Sequence, residues 1–196
     1  MKKQQALLVV DVQNDFCPGG RLAVSEGDKI VPVLNKYIRL FSKKGLPVLA
    51  SRDWHPKKTR HFKNFGGAWP IHCVERTKGA RFHSRLMLPK STIIISKGMS
   101  AELDGYSAFQ AVDSRGRSLS SILDSLGVEE LYVGGLATDY CVKASVLSAL
   151  RAGLKVKLLS DAVKGVNKKD ARQAIKEMIV SGAKQTSIRR LNKNIY

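Results

Sequence analysis

The chain has 196 residues, 43% hydrophobic and 26% charged, with 34 Lys and Arg against 16 Asp and Glu for a net charge of +18. That length and balance fit one globular domain over residues 1–196 and exclude a disordered chain. The three cysteines at 17, 73 and 141 are odd in number and form no C-x-x-C pattern, so they suggest neither a disulfide framework nor a zinc ribbon and suit a reducing cytoplasm.

No apolar run approaches a membrane span, and Ala6 to Val10 is too short for the core of a signal peptide. The basic excess raises the question of a nucleic-acid partner. From Lys164 to Tyr196 nine basic residues face only Asp170 and Glu177, yet no aromatic residues interleave with them as a base-stacking surface requires. A solvated basic surface is the simpler reading, and homo-oligomerisation is left open.

In chain order, Ala6 to Val12 is a continuous apolar run of strand length, suited to a strand buried on both faces. A loop, QNDFCPGG, follows. Ser25 is placed to cap a helix running to about Lys44, with Val31, Leu34, Ile38 and Phe41 on one face and Gly45 as its stop. Leu46 to Ser51 reads as a second strand. Arg52 to Pro89 is a long irregular stretch containing all four histidines, and loops of that length are usually functional. Ile93 to Ser96 is a third strand, and Ser118 to Leu126 a helix closed by Gly127.

Leu131 to Val133 reads as a buried strand passing through Gly134 and Gly135 into a helix capped by Thr138 or Asp139 and stopped by Gly153. Cys141 then sits in the first turn, where free N–H groups and the helix dipole favour a thiolate and a developing oxyanion. Taken alone, a cysteine after a turn is more often a small buried core residue than a nucleophile. Val156 to Leu159 is a fifth strand, Lys168 to Val180 a helix ended by Gly182, and Ala183 to Ile188 a sixth strand. Alternating strands and helices predict a three-layer α/β/α architecture with a mostly parallel, six-stranded, Rossmann-like sheet.

In such sheets ligands sit beyond the carboxyl ends of the strands, at a switch in strand order. Asp11, Asp53, Lys97 and Cys141 all fall at those ends, so they converge on one rim. A thiol, a buried carboxylate that takes and returns its proton, and a lysine offsetting their charge support acyl transfer. Asp53, His55, His61 and His72 carry the residue types that hold zinc, iron(II) or manganese, although their spacing matches no metalloprotease or zinc-finger pattern. His83 reads as an ordinary surface or core histidine.

The motifs DVQNDFCPGG (Asp11 to Gly20), SRDWHP (Ser51 to Pro56), WPIHCV (Trp69 to Val74), SKG with YSAF (Ser96 to Gly98, Tyr106 to Phe109) and GGLATDYCV (Gly134 to Val142) resemble the isochorismatase-like cysteine hydrolases, in their nicotinamidase branch. The resemblance runs from near residue 5 to about residue 188 and implies the isochorismatase-like fold. It implies a triad of Asp11, Lys97 and Cys141 that hydrolyses nicotinamide to nicotinic acid and ammonia through a Cys141 thioester, a step that feeds NAD salvage. It also implies an oxyanion hole at the backbone of Ala137 and Cys141, with a cis peptide between Leu136 and Ala137.

The implied metal ligands are Asp53, His55 and His72, with His61 matching a fourth ligand of some members. The ion, zinc first and iron or manganese as alternatives, would orient the pyridine ring. Phe16, Trp69 and Tyr106 would wall the ring, with Ala137 also touching the substrate. Two positions depart from the pattern: Tyr140 stands where several relatives have histidine, and Leu136 where valine is common, either of which would change pocket width. The competing readings are another amide or vinyl-ether substrate on the same triad, or a basic nucleic-acid-binding module with a vestigial pocket.

Overall fold

The computed structural model describes residues 4–193. Six strands, β1 (Gln4–Val10), β2 (Val48–Asp53), β3 (Ile93–Lys97), β4 (Val128–Leu136), β5 (Lys155–Lys164) and β6 (Lys184–Thr186), form one sheet in the order β3-β2-β1-β4-β5-β6. Every pairing is parallel. The helices are α1 (Val31–Lys43), α2 (Leu119–Ser125), α3 (Lys143–Arg151), α4 (Lys168–Val180) and α5 (Ile188–Lys193).

Strand alternation divides the core in two. Leu7 and Val9 of β1 face one side, where they meet Val31, Leu34, Tyr37, Ile38 and Phe41 of α1, with Ile188 and Leu191 of α5 packed alongside. Ala6, Leu8 and Val10 face the other, against Leu119, Ile122 and Leu123 of α2, Val146 and Ala149 of α3, and Met178 of α4. A strand buried on both faces needs a continuous apolar run, which is why ALLVV shows no alternation. Among the described residues no helix is long and apolar enough to cross a membrane.

Several sequence-based boundaries move. Ser25 does not cap α1: Glu26 adopts a left-handed backbone, Gly27–Ile30 makes a tighter turn, and the helix starts at Val31 with Pro32 in its first turn, where the missing N–H is harmless. The sixth strand ends at Thr186 and not Ile188, because the Ile188 N–H donates to Asp161 Oδ2 (2.9 Å) and the chain turns into α5. Neither Thr138 nor Asp139 caps a helix. Thr138–Val142 forms a wide π-type turn ahead of α3, and the Asp139 carboxylate accepts from the N–H groups of Val166 and Asn167, both at 3.0 Å.

Gly135 lets the end of β4 lie against the end of β1. Its φ is +135°, and a Cβ there would stand 2.1 Å from the Val10 carbonyl oxygen. Gly153, after α3, has φ +82°, and a Cβ there would meet nothing within 4 Å. Chemical denaturation should separate the two: Gly153→Ala costs only the left-handed backbone, about 1–2 kcal/mol. Gly135→Ala adds a backbone collision and should cost more, on the order of 3 kcal/mol or above.

Candidate active site

The switch in strand order lies between β1 and β4, and the chain beyond both strands supplies the cluster. Asp11 follows β1 directly and takes a left-handed backbone (φ 49°), a conformation that Asp adopts more readily than most residues. Asp53 and Lys97 are the last residues of β2 and β3 and stand opposite one another in the parallel register. Their position at strand ends, not beyond them, explains why they are held so firmly.

Lys97 is fully buried and pairs with two carboxylates. Its Nζ lies 2.8 Å from Asp11 Oδ2 and also bonds Asp53 Oδ1. The same Nζ is 3.4 Å from Cys141 Sγ. Ser51 Oγ donates to Asp11 Oδ1 at 2.6 Å, fixing the carboxylate from its other side. A donor oxygen each from Asp11 and Asp53 and the Cys141 sulfur lie within 4.8 Å of one another. Asp11, Lys97 and Cys141 are thus brought together as the sequence suggests; the Asp53–Lys97 contact was not legible there.

The charges follow from this crowding. Burial raises the Asp11 carboxyl above its ordinary value, the Lys97 ammonium opposes that, and repulsion from Asp53 adds to it. Burial acts the same way on Asp53, but Lys97 and His55 outweigh it and hold this carboxyl below the usual range. For Lys97 burial disfavours the charge, yet Asp11, Asp53 and Cys141 overcome it and the ammonium is well above its ordinary value. Cys141 corrects an expectation. Burial first, and then Asp11 and Asp53, push the thiol well above its ordinary value despite Lys97, so the resting group is a thiol and not a thiolate.

The three histidines form the second cluster, inside the long 52–89 loop. His55, His61 and His72 are all buried, and one ring nitrogen of each lies within 4.8 Å of the others. Each Nδ1 is occupied: by the Gly98 carbonyl (2.9 Å) for His55, the Pro70 carbonyl (2.7 Å) for His72, and Asp104 Oδ1 for His61. Carbonyl and carboxylate partners fix Nδ1 as the protonated nitrogen, leaving Nε2 with its lone pair. His55 Nε2 is buried without a hydrogen-bond partner, and Asp53 Oδ2 lies 3.7 Å from it. Burial pushes His72 down to about 4 and His61 below its ordinary value, so these rings are neutral near pH 7.

Three imidazoles with their Nδ1 atoms already engaged, beside a cluster of two carboxylates and one ammonium, fit a divalent cation. Asp53 belongs to both clusters. Gly98 is required here, because a Cβ on it would stand 2.5 Å from the His55 ring. Asp104, and Gln13, whose side chain donates to the Asp53 carbonyl (2.8 Å) and accepts from its N–H (2.7 Å), were missed from sequence: Asp104 falls in no motif, and Gln13, although inside the Asp11 to Gly20 motif, finds its partner 40 positions away.

A cleft opens over both clusters, lined by Phe16, Trp69, Tyr106, Ala137 and Cys141 with His61 and His72. Trp69 Nε1 donates to the Tyr106 hydroxyl (2.8 Å), and Tyr140 stands edge-on to Trp69 at 5.0 Å. Of the two departures from the family pattern, Tyr140 lines the cleft, whereas Leu136 is buried in the α1 core and does not. The Leu136–Ala137 peptide is cis, as expected. His83 lies apart from both clusters, its Nδ1 accepting from the Arg85 N–H (3.3 Å).

A cysteine at the switch point of a parallel sheet, touching an ammonium that a buried carboxylate also holds, is the arrangement of a cysteine hydrolase, and that class is what fold and cluster define. The chain belongs to the isochorismatase family: the Isochorismatase domain model matches residues 5–190. It is 41% identical to the nicotinamidase of Escherichia coli K12, over 91% of this chain and 92% of the relative. Identity to the nicotinamidase/pyrazinamidase of Mycobacterium tuberculosis is 37%, over 89% and 94% of the two chains. Among solved structures, the pyrazinamidase of Pyrococcus horikoshii in complex with zinc superimposes with a TM-score of 0.89 at 46% identity, covering 94% of this chain and 99% of that one.

The two-carboxylate environment of Lys97 gives a stability test. Lys97→Met leaves Asp11 and Asp53 buried without a counter-charge and should cost about 3–5 kcal/mol at neutral pH. In that variant the carboxyl pKa values rise above their unfolded values. The deficit should therefore shrink as pH falls from about 7 to about 4, as the folded state takes up protons. A deficit that stays constant or grows on acidification would show that the lost term is packing and not charge.

Proposed function

We propose that this protein is a nicotinamidase, hydrolysing nicotinamide to nicotinic acid and ammonia, with Asp11, Lys97 and Cys141 as its triad. The observation that carries the reading is the contact of Lys97 Nζ with Asp11 Oδ2 and Cys141 Sγ, 2.8 and 3.4 Å, at the floor of an aromatic-walled cleft. The protein is an amidohydrolase of its family, and its relatives named nicotinamidase support the particular amide.

Because Cys141 rests as a thiol, proton transfer and attack are coupled. Asp11, whose raised carboxyl pKa suits it to accept a proton, takes it from Sγ as the sulfur bonds to the amide carbonyl carbon. The carbonyl oxygen gathers negative charge beside the backbone of Ala137 and Cys141, which we assign as the oxyanion hole. Asp11 then passes the proton to the departing nitrogen, the C–N bond breaks, and ammonia leaves a thioester on Cys141. Water attacks the thioester with Asp11 as base, and the sulfur leaves with its proton restored. Lys97 stays charged throughout and offsets whichever of Asp11 or Cys141 is anionic.

Asp53, His55, His61 and His72 would hold the divalent ion, zinc being the ion named in the Pyrococcus relative. Bound there, the ion supplies a fixed positive charge that can accept the lone pair of the pyridine nitrogen and so orient the ring. Phe16, Trp69 and Tyr106 supply its walls. A single domain over residues 1–196 and a place in NAD salvage are part of the same reading.

Ammonia release from nicotinamide by the purified protein, with and without added zinc, iron(II) or manganese, tests it. Cys141→Ala and Asp11→Asn should each cut kcat by at least about 10³-fold while leaving the fold intact. Appreciable turnover by Cys141→Ala would remove the nucleophile assignment. Asp104→Asn, which loosens the His61 ring, should weaken zinc binding about 10–100-fold by isothermal titration, and unchanged affinity would exclude His61 as a ligand.

A further inference from the structure

Away from the active site, a second cavity of about 660 Å³ opens at the β3 edge of the sheet. Alternation along β2 sends Ser51 and Asp53 to the catalytic cluster and Arg52 to the opposite side, where it lines this cavity. The Arg52 guanidinium lies 3.7 Å above the Trp54 ring, and its Nε donates to Ser96 Oγ at 2.9 Å. Two contacts thus fix the plane of the guanidinium, yet among the described residues no carboxylate pairs with it. It is a half-buried cation without a counter-ion, which is unusual because buried charges are normally paired.

The opposite wall is a closed turn. Asp113 Oδ1 accepts from the N–H groups of Arg115 and Arg117, both at 2.9 Å, and Oδ2 takes the Arg117 side chain at 2.9 and 2.8 Å. Gly116, with φ +76°, lets the turn close. Asp113 is therefore fully used within the turn, and Arg115 makes no ion pair among the described residues. Three guanidinium groups against one carboxylate leave two positive charges facing the cavity. Ile94 and Met99 line it as exposed apolar side chains, at 40% and 45%.

We propose that this cavity is a binding site for a nucleotide, separate from the catalytic cleft. Planar guanidinium forks match phosphate oxygens in pairs, and a pre-oriented fork loses little freedom on binding. Two unneutralised positive charges match a nucleoside monophosphate, and the apolar side chains give its base a surface. Neither a general attraction of anions to the basic chain nor binding in the active cleft predicts that the Arg52 and Arg115 positions decide affinity.

Isothermal titration of the intact protein with AMP, with adenosine and inorganic phosphate as separate probes, tests the site. The expected result is saturable one-site AMP binding, at least tenfold tighter than either fragment. Arg115→Glu should weaken it at least tenfold, while Lys169→Glu, an equal charge change on the exposed face of α4, leaves it unchanged. Arg52→Gln should weaken it similarly; should that variant fail to fold, Arg115→Glu decides, since its side chain is exposed. Absence of saturable AMP binding, equal weakening by the Arg115 and Lys169 variants, or displacement of AMP by nicotinic acid would each overturn the proposal. None of these outcomes depends on whether nicotinamide is the substrate of the catalytic cleft.

Discussion

A single buried ammonium sits at the centre of the charged cluster at the strand ends. Lys97 is enclosed by Asp11, Asp53 and Cys141; it outweighs burial at Asp53 and opposes it without overcoming it at Asp11 and Cys141. A lone charge would not survive such burial; the two carboxylates hold it, and it in turn keeps Asp53 ionised. The surplus of one negative charge then stands beside three imidazoles, which is the electrostatic reason a divalent cation suits the adjoining pocket. The proposed acid–base chemistry and the proposed metal binding would both follow from one charge balance, joined through Asp53.

That balance requires placement that only the sheet supplies. The β2–β3 register sets Asp53 against Lys97, while β1 ends beside β2 and β4 so that Asp11 and Cys141 reach the same point. The histidines come from a loop without regular structure, and their precision comes from polar partners on Nδ1. Gly98 serves twice: its carbonyl orients His55, and its missing side chain makes room for the ring. The fold thus builds a charged cluster from strand ends and a three-histidine pocket from a loop tied down by hydrogen bonds.

Much of this was legible in the sequence because the signals were local. The uninterrupted apolar run of β1, the three- and four-residue spacing in α1 and the glycines after helices are written residue by residue, and the convergence of strand-end residues follows from parallel topology. What failed depended on contacts far apart in sequence. Asp139 reads as a helix cap until Val166 and Asn167 claim its oxygens, and Ile188 reads as strand until Asp161 takes its N–H. The expected thiolate at Cys141 failed for the same reason, since a helix-start argument knows nothing of the two carboxylates and the burial that act on the sulfur. Leu136 likewise faced α1 and not the cleft, a side that no sequence pattern assigns.

At the centre of the proposed chemistry, the Cys141 sulfur, relieved of its proton by Asp11, becomes covalently bonded to the acyl group. Rapid acid quench of the protein during turnover of nicotinamide, followed by peptide mass spectrometry, addresses that bond directly. The expected result is a pyridine-3-carbonyl adduct on the peptide carrying Cys141, absent after quenching without substrate. Turnover with no adduct at any quench time even when deacylation is slowed by low temperature, or an adduct on another residue, would contradict it.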